Sequence, residues 1–241
     1  MPLEFTLSDL AFAAHTFDGL TRYNEAYATL GRAVGKDLDL NRCDHRKELI
    51  VWLNRWGCRQ FALDHHLVAS ESIRKWYEEV AGQLVDRHRQ IWELNDSELE
   101  KTRGLYSALS QSTASYRIRE LGKVRITVGP AGASKILFAV RPRAYIPWDD
   151  AIRKSLGYVG TGAGYVDYLR DVRDALKTLE RNYPDGGLSL VELPSWLGKP
   201  DATVVAMVNA YLWIVHTRKL RTPSRKELLR WAEWSSNPEP N

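Results

Sequence analysis

The chain has 241 residues, enough to bury a sizeable core in one or two domains. Hydrophobic residues make up 44% and charged residues 27%, which excludes a disordered or collagen-like chain, and a net charge of +4 permits a polyanionic partner without requiring one. Two cysteines exclude a disulfide framework, no basic-then-apolar leader opens the chain, and the longest apolar run, near residues 202–215, is too short for a bilayer, so we expect a soluble cytoplasmic protein without membrane association.

Apolar residues recur at helical spacing along nearly the whole chain, and capping residues precede many of these runs. The predicted helices begin at or near Ser8, Thr21, Asp44, Asp64, Asp96, Ala133, Asp149, Tyr165, Asp201 and Ser224. About ten helices with short connections predict a mainly α fold. We expect one compact helical unit over residues 1–235, with two lobes and a central cleft, and a flexible tail over residues 236–241.

Two segments interrupt the helical pattern. Residues 123–128, KVRITV, alternate like a strand. Because one isolated strand cannot make a stable sheet, we interpret them as an extended lead-in or as part of a helix. The glycine-rich residues 160–164 follow no strand, so a flexible loop is favoured over a phosphate-binding loop.

Metal and cofactor motifs are missing from the sequence. Histidines and cysteines supply ligand types, but no paired Cys-x-x-Cys or His-Glu-x-x-His spacing occurs. There is also no nucleophile elbow, P-loop or dinucleotide fingerprint. We therefore predict neither a metal nor a cofactor.

The segment from Val128 to Arg153 contains the pattern that bears most on function. Residues 129–132, Gly-Pro-Ala-Gly, predict a turn, and the apolar run Ala133–Val140 predicts a helix behind it. Backbone N–H groups at such a helix start suit a phosphate. Pro147, Trp148 and Asp149 then predict the start of the next helix, with Asp149 or its neighbour as cap. Taken alone, these features also describe an ordinary turn, helix and cap.

Their order resembles the signature of the helix-hairpin-helix DNA glycosylase superfamily, in which a Gly-x-Gly hairpin precedes an apolar helix and a Pro-x-Asp helix start. The resemblance implies that Asp149 is the catalytic carboxylate. Lys135 falls near the lysine with which some members attack the sugar, one place out of register and fewer residues from the aspartate. The hairpin residues that would hold a DNA phosphate are Gly129, Gly132, Ala133 and Ser134.

Basic residues bracket this segment, as binding to a phosphate backbone requires. Those that we assign to DNA are Arg125, Arg143 and Arg153. A flipped base needs a pocket with aromatic and apolar walls. The residues that we assign to this pocket are Trp148, Asp150 and Trp52, although core packing explains tryptophans equally simply.

Three hypotheses about function remain open. The leading one is a monofunctional DNA glycosylase that binds double-stranded DNA as a monomer, flips and excises a damaged or modified base, and leaves an abasic site. Its role would be repair, or defence against phage DNA with modified bases. The second is a non-catalytic helix-hairpin-helix DNA-binding protein in which Asp149 is only a cap. The third is an all-α interaction protein without a nucleic acid partner.

Overall fold

The computed structural model describes residues 3–35, 37–61, 66–120, 122–183 and 187–236. Within these ranges it contains eleven α-helices and one two-stranded sheet, which confirms the predicted mainly helical fold. The helices are α1 (Leu7–Leu20), α2 (Tyr23–Val34), α3 (Cys43–Arg55), α4 (His66–Val80), α5 (Asp96–Gln111), α6 (Gly129–Val140), α7 (Asp150–Ser155), α8 (Gly162–Arg181), α9 (Leu193–Trp196), α10 (Val204–Leu212) and α11 (Arg225–Ser236). None of the described helices combines the length and the apolar character needed to cross a bilayer.

Capping side chains set the starts of several helices. Thr6 and Asp9 form a capping box at α1, and Asn95 and Glu98 form another at α5. The predicted first cap, Ser8, lies inside α1, because Thr6 already accepts an N–H group of the first turn. The helix start predicted at residue 64, and the predicted tail beyond residue 236, lie outside the described residues.

The helix α6 runs through the middle of the core. Every residue from Gly132 to Val140 is buried, so this helix has no solvent-facing side over its last nine residues. The helix α5 packs against both α6 and α8. Most of the buried apolar side chains form one large cluster, and a small second cluster joins α1 to α10. The two-lobed arrangement around a central cleft stays a prediction.

An antiparallel hairpin of two strands precedes residues 129–132, where the sequence predicted an extended lead-in or part of a helix. Strand β1 (Thr113–Arg119) pairs with strand β2 (Gly122–Thr127), with Tyr116 opposite Arg125. The expectation was wrong because it treated residues 123–128 as a strand without a partner, whereas β1 supplies the partner. Strand β2 therefore leads through Val128 directly into α6, and residues 129–132, which were predicted to form a turn, are the first residues of that helix.

The glycine-rich residues 160–164 were expected to form a flexible loop, but they begin α8. Thr161 caps this helix by accepting the N–H group of Gly164 at 3.3 Å. A Cβ atom at Gly162 would collide with the backbone carbonyl oxygen of Arg103. Glycine at this position therefore lets α8 approach α5 closely, which periodicity alone does not reveal.

Replacing Gly162 by alanine should lower the free energy of unfolding by about 1–3 kcal/mol or more, because the backbone of Arg103 cannot move aside easily. The matched control is Gly104→Ala in the exposed middle of α5, where nothing lies within 4 Å of the added methyl group. That change should raise stability by about 0.5–1 kcal/mol. Urea unfolding measures both, and shifts of the same sign would contradict the close packing of α5 and α8.

Candidate functional site

The carboxylate of Asp149 caps α7, as predicted, and both of its oxygens are held. Oδ1 accepts the N–H group of Ile152 at 2.8 Å, and Oδ2 accepts the hydroxyl hydrogen of Thr217 at 2.8 Å. The side chain is half-buried. Because a carboxylate can accept about four hydrogen bonds, each oxygen retains a lone pair for a water or a substrate.

Three titratable side chains lie near this carboxylate. Burial raises the pKa of Tyr23 and of Tyr168, and the negative charge of Asp149 raises both further. Burial and the charge of Lys219 lower the pKa of His216, while Asp149 opposes that shift. Burial therefore favours the neutral form of the His216 imidazole. The titratable neighbours of Asp149 therefore include two tyrosine hydroxyls and an imidazole, and the charge of Lys219 acts on that imidazole.

A π-helical turn, Trp213–Thr217, brings Thr217 and His216 to the site. It continues directly from α10, and such turns are found frequently at functional sites. The Nδ1 atom of His216 lies 2.9 Å from the Oγ atom of Ser155 at the end of α7. Just beyond the turn, Lys219 has a φ of 60°, and it is the one non-glycine residue with positive φ in the described ranges. The π-helical turn thus contacts α7 at the start of that helix, through Thr217 and Asp149, and at its end, through His216 and Ser155.

Ser134 joins α6 to the loop that contains Asp149. Its hydroxyl oxygen accepts the N–H group of Trp148 at 3.2 Å and also lies within hydrogen-bonding distance of the carbonyl oxygens of Trp148 and Ala131. The side chain is fully buried. Ser134 therefore positions the residue before Asp149, and in this place it cannot contact a DNA phosphate, contrary to the predicted role.

The start of α6 is braced by side chains. Gly129 has a φ of 69°, a conformation that favours glycine. Gln60 donates its Nε2 hydrogen to the Val128 carbonyl oxygen at 2.7 Å, and a Cβ atom at Gly132 would lie 2.8 Å from that nitrogen. Gly132 and Ala133 are buried, so packing accounts for them. Of the predicted phosphate-binding residues, only Gly129 is partly exposed in this region of α6.

The amine of Lys135 is buried against the end of α3. It donates a hydrogen bond to the carbonyl oxygen of Trp56 at 2.6 Å, and its side chain is only 9% exposed. Burial raises the pKa of the neighbouring Cys58 thiol, and the lysine charge opposes that shift. An amine held in this way is not placed to attack a sugar as the lysine of some superfamily members does.

The residues assigned to the base pocket do not come together. Trp52 and Trp148 are each 1% exposed, and the ring of Trp148 stacks on Tyr168 with centroids 5.1 Å apart. Both tryptophans are therefore core residues. Asp150 is exposed, and Oδ1 of its carboxylate lies 3.1 Å from the guanidinium of Arg153. It points to solvent and not to a pocket wall.

The three arginines assigned to DNA have different environments. Arg125 is exposed on β2 and donates to the carbonyl oxygen of Gln111 at 2.6 Å. Arg143 is exposed in the loop after α6. Arg153 is mostly buried and donates to the carbonyl oxygen of Tyr158 at 3.2 Å. Arg125 and Arg143 can therefore meet a polyanion in solution, whereas Arg153 mainly ties α7 to the following loop.

A cavity of about 830 Å³ lies among α1, α2, α10 and the loop that follows α6. Its lining includes the aromatic rings of Phe17 and Tyr27 and the polar groups of Asn24 and Thr203. Asp149 does not line it. The cleft that we expected beside the catalytic carboxylate is therefore not this cavity.

No three His, Cys, Asp or Glu side chains of the described residues are arranged to hold a metal ion. Comparisons with protein-family models, with curated proteins and with solved structures find no match for this chain. The function must therefore be inferred from the geometry around Asp149 and from the order of residues that leads to it.

Proposed function

We propose that the protein is a monofunctional DNA glycosylase that acts on double-stranded DNA through the carboxylate of Asp149. The observation that supports this proposal is the fixed, half-buried position of that carboxylate at the start of α7, with the hydroxyl of Thr217 on one oxygen and the N–H group of Ile152 on the other. It lies at the end of the Pro-x-Asp sequence on which the resemblance rests.

The chemistry requires a fixed negative charge near the sugar. As the N-glycosidic bond breaks, the base leaves with the bonding electron pair and positive charge develops on the sugar. A carboxylate in place before the reaction stabilises that cation and takes a proton from the attacking water. The two hydrogen bonds to Asp149 keep it from reorienting and leave a lone pair on each oxygen to accept the proton of the water. The products are a free base and an abasic strand, and no cofactor is needed.

The remaining features of the proposal follow from charge and cysteine chemistry. Exposed cations such as Arg125 and Arg143 attract the phosphate backbone. Cys43 and Cys58 are both free, which suits a reducing compartment, so we place the protein in the cytoplasm. It would act as a monomer on a damaged or modified base, either in repair or in defence against phage DNA.

A non-catalytic DNA-binding protein is the second candidate, and one observation favours it. The carboxylate of Asp149 accepts the N–H group of Ile152 in the first turn of α7, and this hydrogen bond is all that a helix cap requires. In that case the bond from Thr217 would serve only to attach the π-turn to α7. The two candidates share a DNA partner and differ in whether a base is released.

A duplex that contains one altered base and an end label provides the test. We expect strand cleavage only after hot alkali, because water attacks the sugar and leaves an intact abasic strand. Borohydride should trap no covalent adduct, since the amine of Lys135 is buried against the carbonyl oxygen of Trp56. An adduct that disappears in Lys135→Met would instead identify lysine as the nucleophile. Binding to every duplex of a panel without alkali-labile sites would favour the non-catalytic candidate.

A further inference from the structure

The hairpin of β1 and β2, which we call the ribbon, is strongly basic. Arg117 and Arg119 lie on β1, and Lys123 and Arg125 lie on β2, all four exposed. Over residues 113–127 the one carboxylate is that of Glu120, so the ribbon has a net charge of 4 − 1 = +3, against +4 for the whole chain. The ion pairs found in the described part of the chain involve other cations.

The ribbon also presents apolar side chains to solvent. Ile118 is 91% exposed, and it lies directly opposite Lys123 in the register of the two strands. On the other face, Val124 is 40% exposed and lies opposite Arg117. Each face of the ribbon therefore combines a cation with an apolar group. The Lys123 amine lies 4.2 Å from the centroid of the Tyr116 ring on the same face. Neither the core nor the site around Asp149 buries these side chains, so they are accessible to a partner that is both anionic and partly apolar.

The root of the ribbon is fixed to the core while its outer end projects. Ser115 donates its hydroxyl hydrogen to the carbonyl oxygen of Gln60 at 2.7 Å, and the amide of Gln60 donates to Val128 at 2.7 Å. Val128 leads directly into α6, which Ser134 connects to the loop of Asp149. The ribbon is therefore joined to the proposed catalytic residue through a continuous buried helix.

The dimensions of the ribbon fit one groove of B-DNA. Its strands lie about 4.8 Å apart, and the exposed outer residues, 117–119 on β1 with 123–125 on β2, extend about 10 Å at about 3.4 Å each. The major groove, about 12 Å wide, admits a two-stranded ribbon without deformation of the duplex. In duplex RNA the major groove is too deep and narrow for side chains to read. The dimensions of the ribbon therefore fit the major groove of DNA.

We propose that the ribbon inserts into the major groove of double-stranded DNA, with its cations on phosphates and Ile118 against base edges. This inference rests on the DNA partner of the proposed function and adds the element and the groove through which DNA is bound. Phosphate contacts by Arg117, Arg119 and Lys123 release counterions and favour binding. The methyl group of thymine, an apolar contact for Ile118, is accessible in this groove alone.

The first test compares duplex binding as a function of salt concentration in the wild type and in the triple variant Arg117→Gln, Arg119→Gln, Lys123→Gln. Three lost phosphate contacts should make the slope of log K against log[salt] shallower by about 2.7, which is three times about 0.9. The control has the same loss of charge on exposed residues of α3, α5 and α8: Lys47→Gln, Lys101→Gln and Lys177→Gln. It should keep the wild-type slope. A shallower slope in the control as large as in the ribbon variant would refute the inference.

A second variant separates apolar contact from charge. Ile118→Ser should weaken binding on the order of tenfold, because it removes a side chain that becomes buried against base edges, and it should leave the salt slope unchanged. Since Ile118 is exposed, the melting temperature should not fall. If the affinity of this variant is unchanged, Ile118 does not contact the DNA and that part of the proposal is refuted.

Dimethyl sulfate footprinting then identifies the groove, because guanine N7 lies in the major groove and adenine N3 in the minor groove. We expect protection of guanine N7 by the wild type, no protection by the triple variant, and unchanged reactivity of adenine N3. Protection of adenine N3 instead would overturn the inference. If binding depends on the ribbon but no base is released, the glycosylase proposal is refuted and the DNA-binding role of the ribbon is supported. If the triple variant binds DNA normally and releases the base, the role of the ribbon is refuted and the glycosylase proposal is supported. If the wild type does not bind duplex DNA, both proposals are refuted.

Discussion

Replacement of Asp149 by asparagine should nearly abolish base release while the fold and the DNA affinity are preserved. The asparagine carbonyl oxygen still accepts the N–H group of Ile152, and its amide can donate to the hydroxyl of Thr217, so the cap is retained. Only the negative charge that opposes the sugar cation is lost. Such a loss costs on the order of a hundred- to a thousandfold in rate. Single-turnover base release, melting temperature and DNA affinity are measured together.

Asp150→Asn is the matched control for this substitution. Asp150 is exposed, and its pairing with Arg153 at 3.1 Å contributes about 0–1 kcal/mol at most. We therefore expect nearly wild-type base release. Release that survives Asp149→Asn and fails in Asp150→Asn would mean that the wrong aspartate was assigned. Release that survives both changes would exclude a carboxylate mechanism at the start of α7.

Truncation of Trp52 to alanine should lower the free energy of unfolding by about 3–5 kcal/mol. Its indole ring is 1% exposed, and its centroid lies 4.6 Å from that of Trp56. The core around α3 and α6 cannot close over a void of that size. Urea unfolding with and without the substitution measures the loss.

Trp196→Ala provides the comparison for Trp52→Ala, because Trp196 at the end of α9 is 63% exposed. That change should alter stability by no more than about 0.5 kcal/mol. If the Trp52→Ala protein is stable and its preference among modified bases is altered, the prediction that Trp52 lines a base pocket is supported. A large loss of stability for Trp52 alone would confirm that it is a core residue.

Local patterns in the sequence predicted the parts of the fold that local forces determine. Helical periodicity and capping side chains depend on residues within four positions of each other, so the helices and the cap at Asp149 were predictable. The ribbon was missed because a strand needs its partner, and β1 shows only weak alternation before it exposes Ile118. The tight approach at Gly162 depends on α5, which no local pattern contains.

The site could be predicted only in part, for the same reason. Asp149 could be identified from the sequence because it directly precedes a predicted helix. Its partner Thr217 is 68 residues away in sequence and belongs to no motif. The burial of Lys135 depends on the carbonyl oxygen of Trp56, 79 residues earlier in the chain. His216 joins the site through a π-turn that resembles an ordinary continuation of α10 in the sequence. Long-range packing therefore decided which of the predicted residues meet.

Detection of the released base tests the central claim most directly. The wild type and Asp149→Asn proteins are incubated with duplexes that each contain one altered base, and the small molecules in solution are identified by mass spectrometry. We predict one free base from the wild type, in an amount equal to the alkali-labile sites in the strand, and almost none from Asp149→Asn. Duplex binding without a free base from any member of the panel, or equal amounts of base from both proteins, would contradict a glycosylase that acts through Asp149.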